Sequence, residues 1–139
     1  MSQISKDINT IDRHLRRNRR EYMEPEGLKG IHAWIILQVC NTPGCSQDQL
    51  AKRSWFDKST IARQVELMED MGFIERKPSK TDKRVLCVYP TEKMLQFQPG
   101  LQASMEDCEA RLLAPLNEEE KELFRAFLRR ICLAAETGE

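Results

Sequence analysis

The stretch from Ser46 to Arg84 restricts this chain to few folds, because two helix starts, a helix stop and a cationic hairpin follow one another within it. Ser46 is a good N-cap, and Gln49 three residues on completes a capping box, so a helix should start here with Leu50 and Ala51 on its inner side. Asp57 caps a second helix over residues 58–71, which Gly72 ends as a favoured C′ residue. Ile61, Val65, Met68 and Met71 recur at i, i+4, i+7 and i+10, which makes one buried stripe. Lys58, Ser59, Thr60, Arg63 and Gln64 fall on the opposite face. Residues 73–77 then read as a strand, 78–84 as a turn-rich tip, and 85–89 as an antiparallel return strand. The predicted unit is a helix–turn–helix followed by a two-stranded β-wing.

The outer residues of the second helix are those a nucleic acid duplex requires. Lys and Arg neutralise phosphates, Ser and Thr donate to them, and Arg and Gln reach base edges in the major groove. They cluster in the N-terminal half of the helix, where a recognition helix meets bases. A solvated polar face is the plain alternative for this helix taken alone. The wing adds to the first reading: Arg76, Lys77, Lys80, Lys83 and Arg84 are opposed there only by Glu75 and Asp82. Folding does not require that excess at a hairpin tip, whereas an adjacent polyanion accounts for it.

These residues also carry a resemblance. Ser-x-x-x-Leu-Ala at 46–51, Lys-Ser-Thr-x-x-Arg at 58–63, Leu-Met-Glu-Asp-Met-Gly-Phe-Ile-Glu-Arg-Lys at 67–77, Asp-Lys-Arg at 82–84 and Pro-Thr-Glu at 90–92 resemble the MarR family of bacterial winged-helix regulators. The motif region covers roughly residues 28 to 95. The resemblance implies a mainly α fold with a small β-wing, a recognition helix at 58–71 in the major groove, and Arg84 in the minor groove oriented by Asp82. A narrow minor groove attracts Arg, and a neighbouring carboxylate can fix a guanidinium by two hydrogen bonds. The implied DNA-binding set is Ser46, Lys58, Ser59, Thr60, Arg63, Gln64, Lys77, Lys80, Asp82, Lys83 and Arg84. The resemblance further implies a repressor released by a small aromatic or phenolic effector, bound in a cleft between the dimer helices and the winged domain. Arg16, Arg20, Tyr22 and Trp34 are the candidates for its lining, against the plainer alternative that each only packs or faces water. The chain departs from the family pattern at Pro90 and Met94, which bear on the start of the next helix.

A net charge of zero at first opposes a nucleic-acid partner. Its distribution answers the objection. Residues 1–30 and 46–84 each carry +2 and residues 101–139 carry −4, and a local basic patch matters more than the total. Five cysteines form no CxxC pair and read as free thiols, with Cys87, Cys108 and Cys132 expected in the core. A thiol-based redox sensor is the alternative they leave open. His14 and His32 lie in no cluster with metal-ligand spacing and read as partly buried, hydrogen-bonded side chains, so no metal or other cofactor is expected. Neither a phosphate loop nor a nucleophile motif is present, which argues against an enzyme. No apolar run reaches the length of a membrane span, and the N-terminus lacks a signal-peptide core, so a cytoplasmic location is expected.

Flanking helices complete the single-domain reading of residues 1–139. Ile4, Ile8, Ile11 and Leu15 stripe a first helix to about Met23, before the break at Pro25, Glu26 and Gly27. Residues 28–40 are apolar on most sides and should be buried, and Trp55 with Phe56 should plug the turn between the two reading helices. Thr91 can cap a long helix that Pro99 and Gly100 should kink or break, with Leu101, Met105, Cys108 and Leu112 striping its second part. Asn117 and Glu120 box the start of a last amphipathic helix bearing Leu123, Phe124, Phe127, Leu128, Ile131 and Cys132. Residues 28–90 form the expected winged domain, within which residues 46–90 should close their own small core, so the terminal segments 1–24 and 91–139 hold surplus apolar surface that a homodimer would bury. Such a dimer would set two recognition helices about one DNA turn (~34 Å) apart and favour a near-palindromic operator. A winged-helix protein-interaction module without DNA binding remains the other reading of this architecture.

Overall fold

The computed structural model describes residues 1–138, in two compact units, residues 1–105 and 106–138. Helix α1 (Gln3–Met23) starts at Ser2, whose hydroxyl accepts the Ser5 N–H. After a 3-10 turn at Glu24–Glu26, Gly27 takes φ +74°, a left-handed conformation that suits glycine, and the chain turns into α2 (Gly30–Asn41). There follow β1 (Cys45–Ser46), α3 (Gln47–Arg53), α4 (Lys58–Asp70), β2 (Ile74–Pro78) and β3 (Leu86–Pro90). Helix α5 (Glu92–Leu113) runs from the first unit into the second, which continues with α6 (Glu118–Thr137).

Both expected capping boxes form. Ser46 and Gln49 exchange hydrogen bonds at the start of α3, and Asn117 and Glu120 do so at α6. Asp57 Oδ1 accepts the Thr60 N–H at 2.7 Å at the head of α4, and Gly72 follows its end with φ +85°. The sheet has one strand more than predicted. Its order is β1-β3-β2, antiparallel throughout, with Cys45 opposite Val88 and Ile74 opposite Pro90. Two residues are too few to show alternation in a sequence, and β1 exists because β3 is there to pair with it.

One core runs through the first unit. Met23 of α1, Ile35, Ile36 and Val39 of α2, Leu50 of α3, Ile61, Val65 and Met68 of α4, Phe73, Val88, and Met94 and Leu101 of α5 are all fully buried. Residues 46–90 therefore do not close a core alone, since α1 and the first half of α5 contribute to it. Met94 occupies this core, and Pro90 ends β3, so both departures from the family pattern are accommodated and α5 starts where expected. The Thr91 hydroxyl sits between the Gly72 and Phe73 carbonyls and also accepts the Met94 N–H. Pro99 does not break α5. It is exposed on the helix, so the Leu95 carbonyl that loses its intrahelical donor is on the side where water can replace it.

Gly100 explains how α1 approaches α5. Tyr22 packs on Phe97 at 5.3 Å between ring centroids, and Phe97 meets Phe73 edge-on at 5.8 Å. A Cβ at Gly100 would overlap the Tyr22 hydroxyl, while Asn18 Nδ2 donates to Ser104 O at 3.2 Å one turn away. In the second unit Cys108 is buried, but Leu123, Phe127, Ile131 and Cys132 of α6 are exposed, so Cys132 is not a core residue. Its expected burial was inferred from apolar neighbours that are themselves uncovered.

Gly100→Ala would normally gain up to about 1 kcal/mol in a helix interior. Here the clash should reverse the sign, giving a net loss of about 1–2 kcal/mol in denaturant titrations. In a Tyr22→Phe background the same substitution should become close to neutral. Stabilisation by Gly100→Ala alone would show that this approach is not close.

Candidate nucleic-acid interface

Helix α4 owes its orientation to its buried stripe. Ile61, Val65 and Met68 are fully buried and Met71 partly so, which turns Lys58, Ser59 and Arg63 to solvent and leaves Thr60 half-buried. Lys58 Nζ lies 3.9 Å from Asp48 Oδ1 of α3, an exposed pair that costs little to exchange for a phosphate. Ser46 is occupied as the α3 cap, its oxygen accepting the Gln49 N–H at 3.0 Å.

Gln64 departs from the expected solvent-facing role. It is half-buried, and its Oε1 lies 2.7 Å from Nε2 of His32 on α2. His32 is fully buried, while His14 is exposed on α1 rather than partly buried. The His32 Nδ1 accepts the Lys29 backbone N–H at 2.9 Å. Burial, opposed by the Gln64 bond and aided by the Lys29 charge, holds the His32 pKa below its ordinary 6.5. A bond across 32 positions of sequence has no local signal. The local part of this arrangement is the bond from the Lys29 N–H to His32 Nδ1 at the head of α2, and Lys29, a donor only, marks no capping box in the sequence.

The wing is latched to the same helix. Arg76 donates through Nε and Nη2 to Glu69 Oε1 at 3.2 and 2.9 Å, and its backbone N–H reaches Glu69 Oε2 at 3.2 Å. The Arg76 side-chain bond holds the Glu69 carboxyl below the usual carboxylate range. Arg76 is thus withdrawn from the cationic tip, which keeps four of its five expected cations. Lys77, Lys80, Lys83 and Arg84 remain exposed, with Lys77 near Glu75 and 5.3 Å from the centre of the Tyr89 ring.

At the tip, Ser79 N–H donates to Val85 O at 2.7 Å and Val85 N–H to Asp82 O at 3.0 Å, closing a tight loop. Asp82 accepts three bonds from Arg84: its backbone N–H at 3.0 Å and Nε at 3.2 Å on Oδ1, and Nη2 at 3.5 Å on Oδ2. These bonds hold the Asp82 pKa down. The Arg84 side chain is nevertheless 91% exposed. A guanidinium that is both held and uncovered is preorganised for an outside partner.

A separate cleft of about 500 Å³ opens beside α1 and α2, lined among others by Arg16, Arg19, Trp34, Trp55 and Phe56. Of the four candidate lining residues, Arg16 and Trp34 belong to it. Tyr22 packs instead on Phe97, and Arg20 lies on the outer side of α1 at 3.9 Å from Glu24. Trp55 is 95% exposed and Phe56 is exposed too, so neither plugs the turn. The turn is closed by the Ser54 hydroxyl, which donates to Ala51 O at 2.8 Å, leaving the two rings outside. The thiols of Cys40 and Cys45 are pushed up by burial, contrary to what a thiolate sensor requires. Among the described residues no His, Cys, Asp and Glu cluster could hold a metal, and no helix is long and apolar enough to cross a membrane.

Known proteins are similar to this chain in sequence and fold. A model described as MarR family matches residues 26–85. The uncharacterized HTH-type transcriptional regulator YybA of Bacillus subtilis is 29% identical over 132 residues, spanning 94% of this chain and 87% of its own length. A solved structure of MarR superposes with a TM-score of 0.86 at 28% identity, over 97% of this chain and 94% of that one. A MarR family regulator from Listeria monocytogenes, solved with 26mer DNA, has the same fold, with a TM-score of 0.84 at 24% identity over 100% and 97% of the two chains.

His32 gives the fold a pH dependence of definite sign. Its imidazole resists protonation when folded but protonates near 6.5 when unfolded. The unfolded state therefore binds more protons below that value, and stability should fall as pH drops from 6.5 toward the folded pKa. Urea midpoints measured from pH 8 to pH 5 should decline in the native chain and flatten in His32→Asn. An unchanged slope in the variant would refute the assignment.

Proposed function

We propose that this chain is a winged-helix transcriptional regulator of the MarR type, which it resembles in sequence and fold, and that it binds a near-palindromic operator as a homodimer and represses until a small effector releases it. The observation that carries the reading is Arg84, held by Asp82 yet 91% exposed at the cationic end of the wing. In this reading Lys58, Ser59, Thr60 and Arg63 at the head of α4 enter the major groove. Lys77, Lys80 and Lys83 take phosphates, and Arg84 enters the adjacent minor groove. The Listeria relative solved with DNA supports a duplex as the partner.

Dimerisation accounts for the uncovered apolar faces. Ile4, Ile8 and Ile11 of α1 are exposed in the first unit, and Leu123, Phe127 and Ile131 of α6 in the second. An uncovered apolar stripe on each of these helices suits an interface with a second copy. The effector reading rests on the cleft, whose guanidinium groups and indole rings suit a flat anion. An effector acts only to the extent that it prefers the low-affinity conformation. The chain is a regulator rather than an enzyme, as are its relatives.

Anisotropy on DNA from upstream of the chain's own gene should show sequence-preferring binding that weakens as salt rises. Arg84→Ala should cost about tenfold or more in affinity, within the range of a single good groove contact. Unchanged binding in this variant would remove the wing from the interface. Sedimentation at micromolar concentration should give a dimer, and Phe127→Glu should give a folded monomer with lost operator affinity; a native monomer would defeat the two-fold reading.

A further inference from the structure

Gln64 sits on α4 with one end of its amide already committed. His32, fully buried on α2, is the buried polar side chain at that contact. Its Nδ1 accepts the Lys29 backbone N–H at 2.9 Å, and a ring nitrogen that accepts a hydrogen bond carries no proton. A neutral imidazole with Nδ1 bare bears its proton on Nε2, so Nε2–H donates across 2.7 Å to Gln64. The atom facing it must be the oxygen, because the amide nitrogen would set donor against donor. A backbone N–H thus fixes a tautomer, the tautomer fixes the sense of an amide, and the amide lies on the helix read above as the DNA-reading element. Among the described residues no group accepts a hydrogen bond from Gln64 Nε2, so the nitrogen end is the one left for another partner.

We propose that His32 is a positioning residue for base reading, which presents Gln64 to the major groove as a hydrogen-bond donor alone. This rests on the reading of α4 as the recognition helix. A glutamine free to turn pairs with adenine at two points, accepting from N6 and donating to N7. With Oε1 turned inward and bonded, that two-point pairing is closed to Gln64. The nitrogen can still donate to the acceptors of guanine, O6 and N7, or to O4 of thymine. The buried histidine, which touches no DNA, thereby sets which base the helix accepts at one position of each half-site.

The test uses the full chain and a pool of duplexes with a randomised core, selected, sequenced and followed by anisotropy on single-base variants. The native chain should enrich guanine or thymine at one position per half-site, with a preference of roughly five- to hundredfold over adenine. Gln64→Ala should abolish selection at that position alone. Gln64→Glu keeps an acceptor for His32 but turns an acceptor outward, so the preference should move to cytosine, whose N4 donates. His32→Phe should admit adenine there while affinity for the remaining site changes less than about threefold. Nitrogen NMR of the native chain should give the Nε2–H tautomer for His32, a readout that does not depend on the variant folding. Enrichment of adenine at the Gln64 position, an unaltered profile in Gln64→Ala or His32→Phe, or an Nδ1–H tautomer would each overturn the proposal. A pool from which the native chain selects nothing would overturn the recognition-helix reading and the proposal with it, and that result is distinct from a converged pool indifferent to Gln64.

Discussion

The burial of Ile61, Val65 and Met68 decides how α4 is rotated about its axis, and everything proposed for this surface depends on that angle. Each fully buried side chain of this kind is worth about 1.5–3 kcal/mol, so together they contribute roughly 5–9 kcal/mol before the entropic cost of ordering the helix. A rotation that freed Arg63 or Lys58 from solvent would have to expose part of that stripe. The Arg76–Glu69 bonds then tie β2 to the same helix, and Arg84 is held by Asp82 at the end of the hairpin. Helix and wing are thus set relative to one another by contacts inside the first unit, without any help from a ligand.

Charge placement follows the same logic. Zero net charge is compatible with a polyanionic partner because four exposed cations, Lys77, Lys80, Lys83 and Arg84, lie together on the wing. The wing arginine that is largely covered, Arg76, serves as the latch. Electrostatic attraction concentrated at a tip is sensitive to screening, since the Debye length at physiological ionic strength is only about 8 Å. Zero net charge over the whole chain limits attraction to arbitrary polyanions, which in the proposed reading leaves discrimination to groups at the head of α4.

Much of this was legible in the sequence because it is local. Ser46 with Gln49, Asp57 with Thr60 and Asn117 with Glu120 are each three residues apart, and a cap is decided within one helical turn. Gly72 and the hairpin tip are likewise short-range. What stayed hidden is what distant residues decide. The strand β1 needs β3, Arg76 is claimed by Glu69 across a turn, and His32 meets Gln64 from another helix. The exposure of Trp55 and Cys132 could not be read either. An aromatic ring in a tight turn or a thiol on an apolar stripe looks like core until the neighbours that would cover it are known. The ligand-lining candidates divided for a similar reason: Arg16 and Trp34 face the cleft, but the lack of a Cβ at Gly100 lets Tyr22 pack into α5 instead.

The central claim is that one surface, the head of α4 with the tip of the wing, meets the duplex. Amide chemical-shift mapping of the full chain with the operator fragment it binds in anisotropy tests it most directly. The account predicts perturbations concentrated at residues 58–63 and 77–84, with Arg84 Nε among the strongest. Perturbations confined to α1 or α6, with α4 and the wing silent, would contradict it.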